Sequence, residues 1–229
     1  MDPGLYIAAS GMLAEQVRQN QLSNNLANAS TPGYEPQEAD QASFGSLLLA
    51  NSATGQSIGT IATGVTIDKT VTDANPTPLQ TTGQPLDFGI TGAGYFGVRT
   101  ASGVRYTRDG QFQANSSGQL VDGNGDQVLS QSGQPIQVDA KGEVAPSALG
   151  LFNVTGPALQ GNTLISGAAA GKATGTVKQG ALNQSGVDAI QTMTDMIASL
   201  RAYQAGQTAI QTIDQTMQED ASSVPSLGG

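Results

Sequence analysis

The stretch that decides the fold reads VDAIQTMTDMIASLRAYQAGQTAIQTIDQTMQE, residues 187–219. It contains no proline, and Ala189, Met196, Tyr203, Ile210 and Met217 recur at every seventh position, the spacing of a helix that shows one seam to a partner helix. Met193 and Leu200 supply the alternate row before Gln207 and Asp214 weaken it. At ~1.5 Å per residue the helix is about 50 Å long, further than a small core can cover. Something outside the monomer should bury part of that stripe.

A second helix is expected at the other end. From Gly4 to Asn28 there is no proline and only Gly11 internally, and Leu5, Met12 and Leu26 share a seven-residue phase with Leu22 close to the same face. Proline and glycine at Ser30-Thr31-Pro32-Gly33 should end it. Leu5, Met12, Leu22 and Leu26, with Met193, Met196, Leu200, Tyr203, Ile210 and Met217, are therefore the candidate assembly interface. A methionine and tyrosine stripe of this kind reads as a packing seam and not as a cofactor site.

Between the helices, short β-favouring runs alternate with turn signals. The runs are Val65, Ile67 and Val71; Leu86, Phe88 and Ile90; Phe96 and Val98; Val104 and Tyr106; Leu120 and Val121; Val128 and Leu129; Ile136 and Val138. Turns such as Ser102-Gly103, Asp109-Gly110 and Asp122-Gly123-Asn124-Gly125 divide them at about 8–12-residue spacing, which implies antiparallel strands. Residues 142–186 are read as irregular, although Leu149, Leu151, Phe152, Leu164 and Ile165 could add strands. The fold class is α+β: long N- and C-terminal helices pairing as a coiled-coil-like layer, with a central antiparallel β domain. The expected divisions are a helix and turn over 1–34, a variable connection over 35–64, the β domain over 65–186, a helix over 187–219 and a flexible tail over 220–229.

Composition removes most chemistry. The 229 residues include no His and no Cys, so a Ser-His-Asp or Cys-His centre and a His/Cys zinc site are excluded. A net charge of -9 and the lack of any Lys/Arg run argue against nucleic acid. No apolar run approaches the ~20 residues that span a bilayer, and the acidic start Met1-Asp2-Pro3-Gly4 is not that of a cleaved signal, so the expected N-terminus is retained. Gly92-Ala93-Gly94-Tyr95-Phe96-Gly97 matches a dinucleotide fingerprint, but β-favouring residues follow it where a helix is required. Asp122, Asn124 and Asp126 have calcium-loop spacing, yet Gln127 and Gly133 stand where that loop needs Gly and Glu. No carboxylate pair is nominated for glycoside chemistry. No catalytic residue, cofactor or metal is expected.

Three blocks carry a resemblance. Ser23-Asn24-Asn25-Leu26-Ala27-Asn28 running on to Thr31-Pro32-Gly33-Tyr34, then Pro85-Leu86-Asp87-Phe88 through Tyr106-Thr107-Arg108-Asp109-Gly110, and finally Gly180-Ala181-Leu182 through Gln211-Thr212-Ile213-Asp214, together resemble the bacterial flagellar rod and hook family. Asn183, Gly186 and Gly206 depart from the family's usual residues, and a glycine inside a helix costs ~1 kcal/mol against alanine. The resemblance implies a basal-body rod subunit, distal or proximal, exported uncleaved through the flagellar type III apparatus to the basal body outside the cytoplasmic membrane. It further implies self-assembly into a helical tube that transmits torque, with other rod and hook subunits as partners. The other reading is a secreted β-rich binding or adhesion module oligomerised through a coiled coil.

Overall fold

The computed structural model describes residues 3–43, 46–50, 57–62, 64–139, 142–161 and 163–223. Helices stand at both ends, α1 over Pro3–Ala27 and α2 over Ala189–Ser223. Pro3 opens α1 because a first-turn residue needs no backbone donor. The C-terminal helix continues past Glu219 into the segment expected as a tail. Its first obstacle is Pro225, which disfavours helix at the residue before it. Residues 224–229 of that tail lie outside the described residues.

The chain divides into two compact units, one drawn from 1–24, 37–71 and 190–229, the other from 25–36 and 72–189. In the first unit, four strands follow α1: β1 (Gln37–Ser43), β2 (Ser46–Ala50), β3 (Ser57–Ala62) and β4 (Val65–Thr72). β1 pairs with β4, and β2 pairs antiparallel with β3. The 35–64 connection thus carries strands. In β1, Gln37-Glu38-Ala39-Asp40 shows no apolar alternation from which a strand could be read.

The second unit is β throughout its body: β5 (Leu79–Thr81), β6 (Phe88–Thr91), β7 (Tyr95–Thr100), β8 (Gly103–Thr107), β9 (Gln113–Ala114), β10 (Leu120–Val121) and β11 (Gln127–Leu129). After a single 3-10 turn at Pro146–Ala148 come β12 (Leu151–Leu159), β13 (Ile165–Lys172), β14 (Thr176–Gln179) and β15 (Ala181–Asn183). Residues 142–186 are therefore largely strand. The principal sheet runs β12-β13-β8-β7-β11-β10-β9, and β12 also pairs with β7, so four of its strands close on themselves. The pairs β6–β14 and β5–β15 are antiparallel as well.

The period of two along β7 distributes its side chains between two cores. Phe96 and Val98 join Phe88, Phe112, Leu120 and Val128, with the Phe96 and Phe112 rings edge-on at 5.2 Å. Tyr95 turns the other way to Tyr106, Val154 and Ile165, where the Tyr106 and Phe152 rings lie 5.7 Å apart. One expected strand does not form: Ile136 is a core residue, but only isolated bridges flank it, because Pro135 beside it has no donor for a ladder. Gly94 leads directly into β7, which is strand where a dinucleotide site needs a helix. The Asp122 carboxylate accepts the backbone N–H of Asn124 and Asp126 at 2.9 and 2.8 Å, so its spacing serves a turn.

Truncating Phe96 to alanine should cost about 3–5 kcal/mol through the cavity left between Phe112 and Val128. Urea unfolding followed by circular dichroism should show that loss in the midpoint with an unchanged slope.

Candidate assembly interface

Two constructions make up the candidate site, one in each unit. In the β unit, the Asn-rich end of α1 becomes a locked corner. Asn28 N–H bonds Asn25 O at 3.0 Å and Thr31 N–H bonds Asn28 O at 3.0 Å, tightening the last turn. Gly33 then reverses the chain at φ 64°, and a Cβ there would stand 2.3 Å from the Arg108 carbonyl carbon. Only glycine fits. Tyr34 is buried, and its hydroxyl donates to Asn25 Oδ1 at 2.9 Å.

The approach to α2 is stitched to the same corner. Gly33 N–H bonds Asn183 O at 2.9 Å, Gly186 N–H bonds Tyr34 O at 2.9 Å, and the Ser185 hydroxyl donates to Asn28 O at 2.9 Å. Asn183 also uses its amide as a substitute strand: Oδ1 accepts Ile90 N–H at 2.7 Å and Nδ2 donates to Ile90 O at 2.9 Å. Its departure from the family pattern thus has a place in this fold. The motif residues Asn25, Asn28, Thr31, Gly33 and Tyr34 converge here with Leu26 half-buried, while Asn24 and Ala27 face outward.

Behind the corner lies an ion pair that the sequence reading did not single out. Glu35 and Arg108, 2% and 3% exposed, stand with Arg108 Nε 3.3 Å from Glu35 Oε1. The guanidinium also donates to the carbonyls of Gly94, Asn75 and Gly92 and lies over the Tyr95 ring, 5.0 Å from its centroid. Tyr95 Oη donates to Glu35 Oε2 at 3.1 Å. Burial pushes the Glu35 carboxyl up to about 7, against the opposing pull of Arg108 and the Tyr95 hydrogen bond, with Asp73 adding to the rise. Burial and the Glu35 charge raise the Tyr95 hydroxyl as well. The signal available in sequence was position: Glu35 directly follows the Thr-Pro-Gly-Tyr motif, and Arg108 sits inside the second block.

In the helical unit, α1 and α2 touch in antiparallel sense. The Ser199 hydroxyl donates to Glu15 O at 3.3 Å, and a Cβ on Gly206 would meet Met12 Cγ at 2.7 Å. Of the nominated residues, Leu5, Met12, Leu22, Met196, Tyr203 and Ile210 are half-buried, while Met193, Leu200 and Met217 are exposed. The second row turned inward is Thr192, Ser199, Gly206 and Ile213 in place of Met193 and Leu200. Small side chains let the helix backbones approach, which is the use of Gly206 here. On the side of α1 away from α2, Ser10 Oγ accepts Val65 N–H at 3.3 Å and Gln21 Nε2 donates to Thr70 Oγ1 at 2.9 Å, seating α1 on β4.

Comparison with known proteins places this arrangement in a class, the flagellar rod and hook proteins. The description "Flagella basal body rod protein" matches residues 5–34, "Flagellar hook protein FlgE/F/G D1 domain" matches 89–162, and "Flagellar basal body rod FlgEFG protein C-terminal" matches 178–224. The rod protein FlgG of Buchnera aphidicola subsp. Acyrthosiphon pisum is 30% identical over 259 residues, covering 96% of this chain and 98% of the relative. FlgG of Bacillus subtilis is 30% identical over 254 residues, 94% and 96% of the two chains. FlgF of Rhizobium meliloti is 31% identical over 230 residues, 89% and 90%. The chain belongs to the flagellar basal-body rod protein family. It is a structural subunit of the basal body and not an enzyme. No helix among the described residues is long and apolar enough to cross a membrane.

Replacing Arg108 by methionine strands a buried carboxylate and should cost about 3–5 kcal/mol, part of which the Glu35→Gln/Arg108→Met pair recovers. Denaturant titrations of the two variants measure the difference. A raised folded-state value also sets a pH dependence. The Glu35 contribution is full below its unfolded value near 4.5 and is lost as pH rises through about 7. Asp109, raised by burial to about 6, acts in the same direction. The melting temperature should therefore fall between pH 5 and pH 8, with a shallower fall in Glu35→Gln.

Proposed function

We propose that this rod subunit self-assembles through its terminal helices, paired as a coiled-coil-like layer, into a helical homopolymer that transmits torque. It adjoins other rod and hook subunits and reaches the basal body uncleaved through the flagellar export apparatus. The observation that carries the reading is the row of large apolar side chains that the helix pair leaves exposed: Ile190, Met193, Ile197 and Leu200 on α2. Ile190 is 80% exposed. Patches of this kind on soluble proteins mark association surfaces.

The corner supports the same reading from the β unit. Three hydrogen bonds tie the segment that follows α1 to the approach of α2. Similarity to relatives along nearly the whole chain favours a rod subunit over the adhesion module.

Concentrated purified protein should form open-ended rods by electron microscopy, and Leu200→Asp should abolish them, since a charge placed in a packed seam costs several kcal/mol. Gln204→Asp, exposed where the apolar row gives way to polar residues, should assemble like the parent. A closed oligomer of fixed size, or equal impairment by both substitutions, would overturn the proposal.

A further inference from the structure

The two flanks of the helix pair are chemically opposite. The contact line on α2 passes through Ser199, which touches Glu15, and on α1 through Met12, which faces Gly206. A helix turns about 100° per residue. Leu200 therefore lies one step on from the line and Ala198 one step back; on α1, Leu13 lies one step on and Gly11 one step back. Because the helices run antiparallel, a forward step on either one reaches the same flank of the pair.

The forward flank is built of large apolar groups. Leu13, 63% exposed, and Val17 stand there on α1, and Leu200 on α2. Tyr6 lies on the same flank of α1 and Met193 on that of α2, and Ile197 and Ile190 continue the apolar surface round the outer face of α2. These seven side chains are each between 42% and 80% exposed, and together they make an apolar surface beyond the few hundred Å² usual on a monomer, on the scale of what one partner brings to a stable interface. The backward flank of α2 carries a row of small residues instead. Ala198, Ala202, Ala205 and Ala209 follow helical spacing and are all exposed. Gly11 faces them from α1, and a Cβ there would meet nothing within 4 Å.

We infer that each copy seats the forward flank, centred on Leu13 and Leu200, on the alanine flank of the next copy, centred on Ala202 and Gly11. The occupant of the apolar row is thus a second copy of this chain presenting a different face. Large side chains find depth only where the facing helices carry small ones, and two forward flanks set against each other would crowd Leu on Leu. Such a contact joins unlike surfaces, so it propagates and does not close on itself as a two-fold pair does. β4 covers the side of α1 opposite α2, which leaves these two flanks for neighbours. The inference rests on the self-assembly proposed above and adds its direction.

The absence of native cysteine gives a direct test. Leu200→Cys and Ala202→Cys are made singly, each is assembled at the concentration where the parent forms rods, and the products are oxidised and resolved on non-reducing gels. Neither single variant should yield more than a trace of dimer, whereas rods assembled from a 1:1 mixture should yield mixed dimers as the dominant cross-linked species. A chain carrying both substitutions should give a ladder. Arg201→Cys, which points away from α1, should not cross-link to either. Rods that form normally but give Leu200→Cys homodimers, or no mixed dimers, overturn the two-flank arrangement and leave self-assembly standing. Failure of the parent to form any rods defeats the self-assembly reading itself.

Discussion

A guanidinium taken out of water must have its donors answered, and the β unit is organised around meeting that demand for Arg108. Its group reaches the carbonyls of Asn75, Gly92 and Gly94, so one side chain ties the segment after β4 to the turn before β7. The remaining requirement is a negative charge, and Glu35 brings it from the corner. Because Nε directs its hydrogen bond to Gly94, the carboxylate is held by charge and by the Tyr95 hydroxyl more than by a forked pair. That limited support is why burial raises Glu35 so far. A buried pair often adds little net stability over an apolar replacement, and here it holds Glu35, next to the corner, against Arg108.

From that placement the rest of the junction follows. With Glu35 fixed, Tyr34 is drawn under the end of α1 to reach Asn25, and Gly33 must pass the Arg108 backbone where no side chain fits. Asn183 then closes the arrangement from the other end of the chain, bonding Gly33 through its backbone and Ile90 through its amide. Residues 150 positions apart in sequence are joined through hydrogen bonds at a single place.

The helical unit obeys a different constraint, the distance between two backbones. Gly206 lowers helix propensity, yet Met12 occupies the space its side chain would take. Ser199 and Thr192 act in the same row, small enough for close approach, and Ser199 donates across to the Glu15 carbonyl. Apolar size alone does not decide which face of α2 turns toward α1. Met193 and Leu200 face outward, whereas Met196 and Tyr203, no smaller, are half-buried.

Local chemistry was enough to determine the two helices, the strands around Ile67, Phe88, Phe96, Tyr106 and Val128, and the turns between them, since spacing, proline and glycine act within a few residues. It also determined the kind of protein, because a chain without His or Cys and with blocks at both ends and the middle matching one family leaves little else. The strands within 35–64 and 142–186 were decided by tertiary structure: Gln37-Glu38-Ala39-Asp40 and Gly167-Ala168-Ala169-Ala170-Gly171 show no apolar alternation, and become strands because β4 and β12 offer them partners. The same holds for the site. Asn25, Gly33 and Tyr34 could be picked out by motif, but the roles of Glu35, Arg108, Asn183 and Gly206 depend on groups far away in the chain, and a burial or a backbone approach has no signature at the residue that permits it until the neighbour arrives.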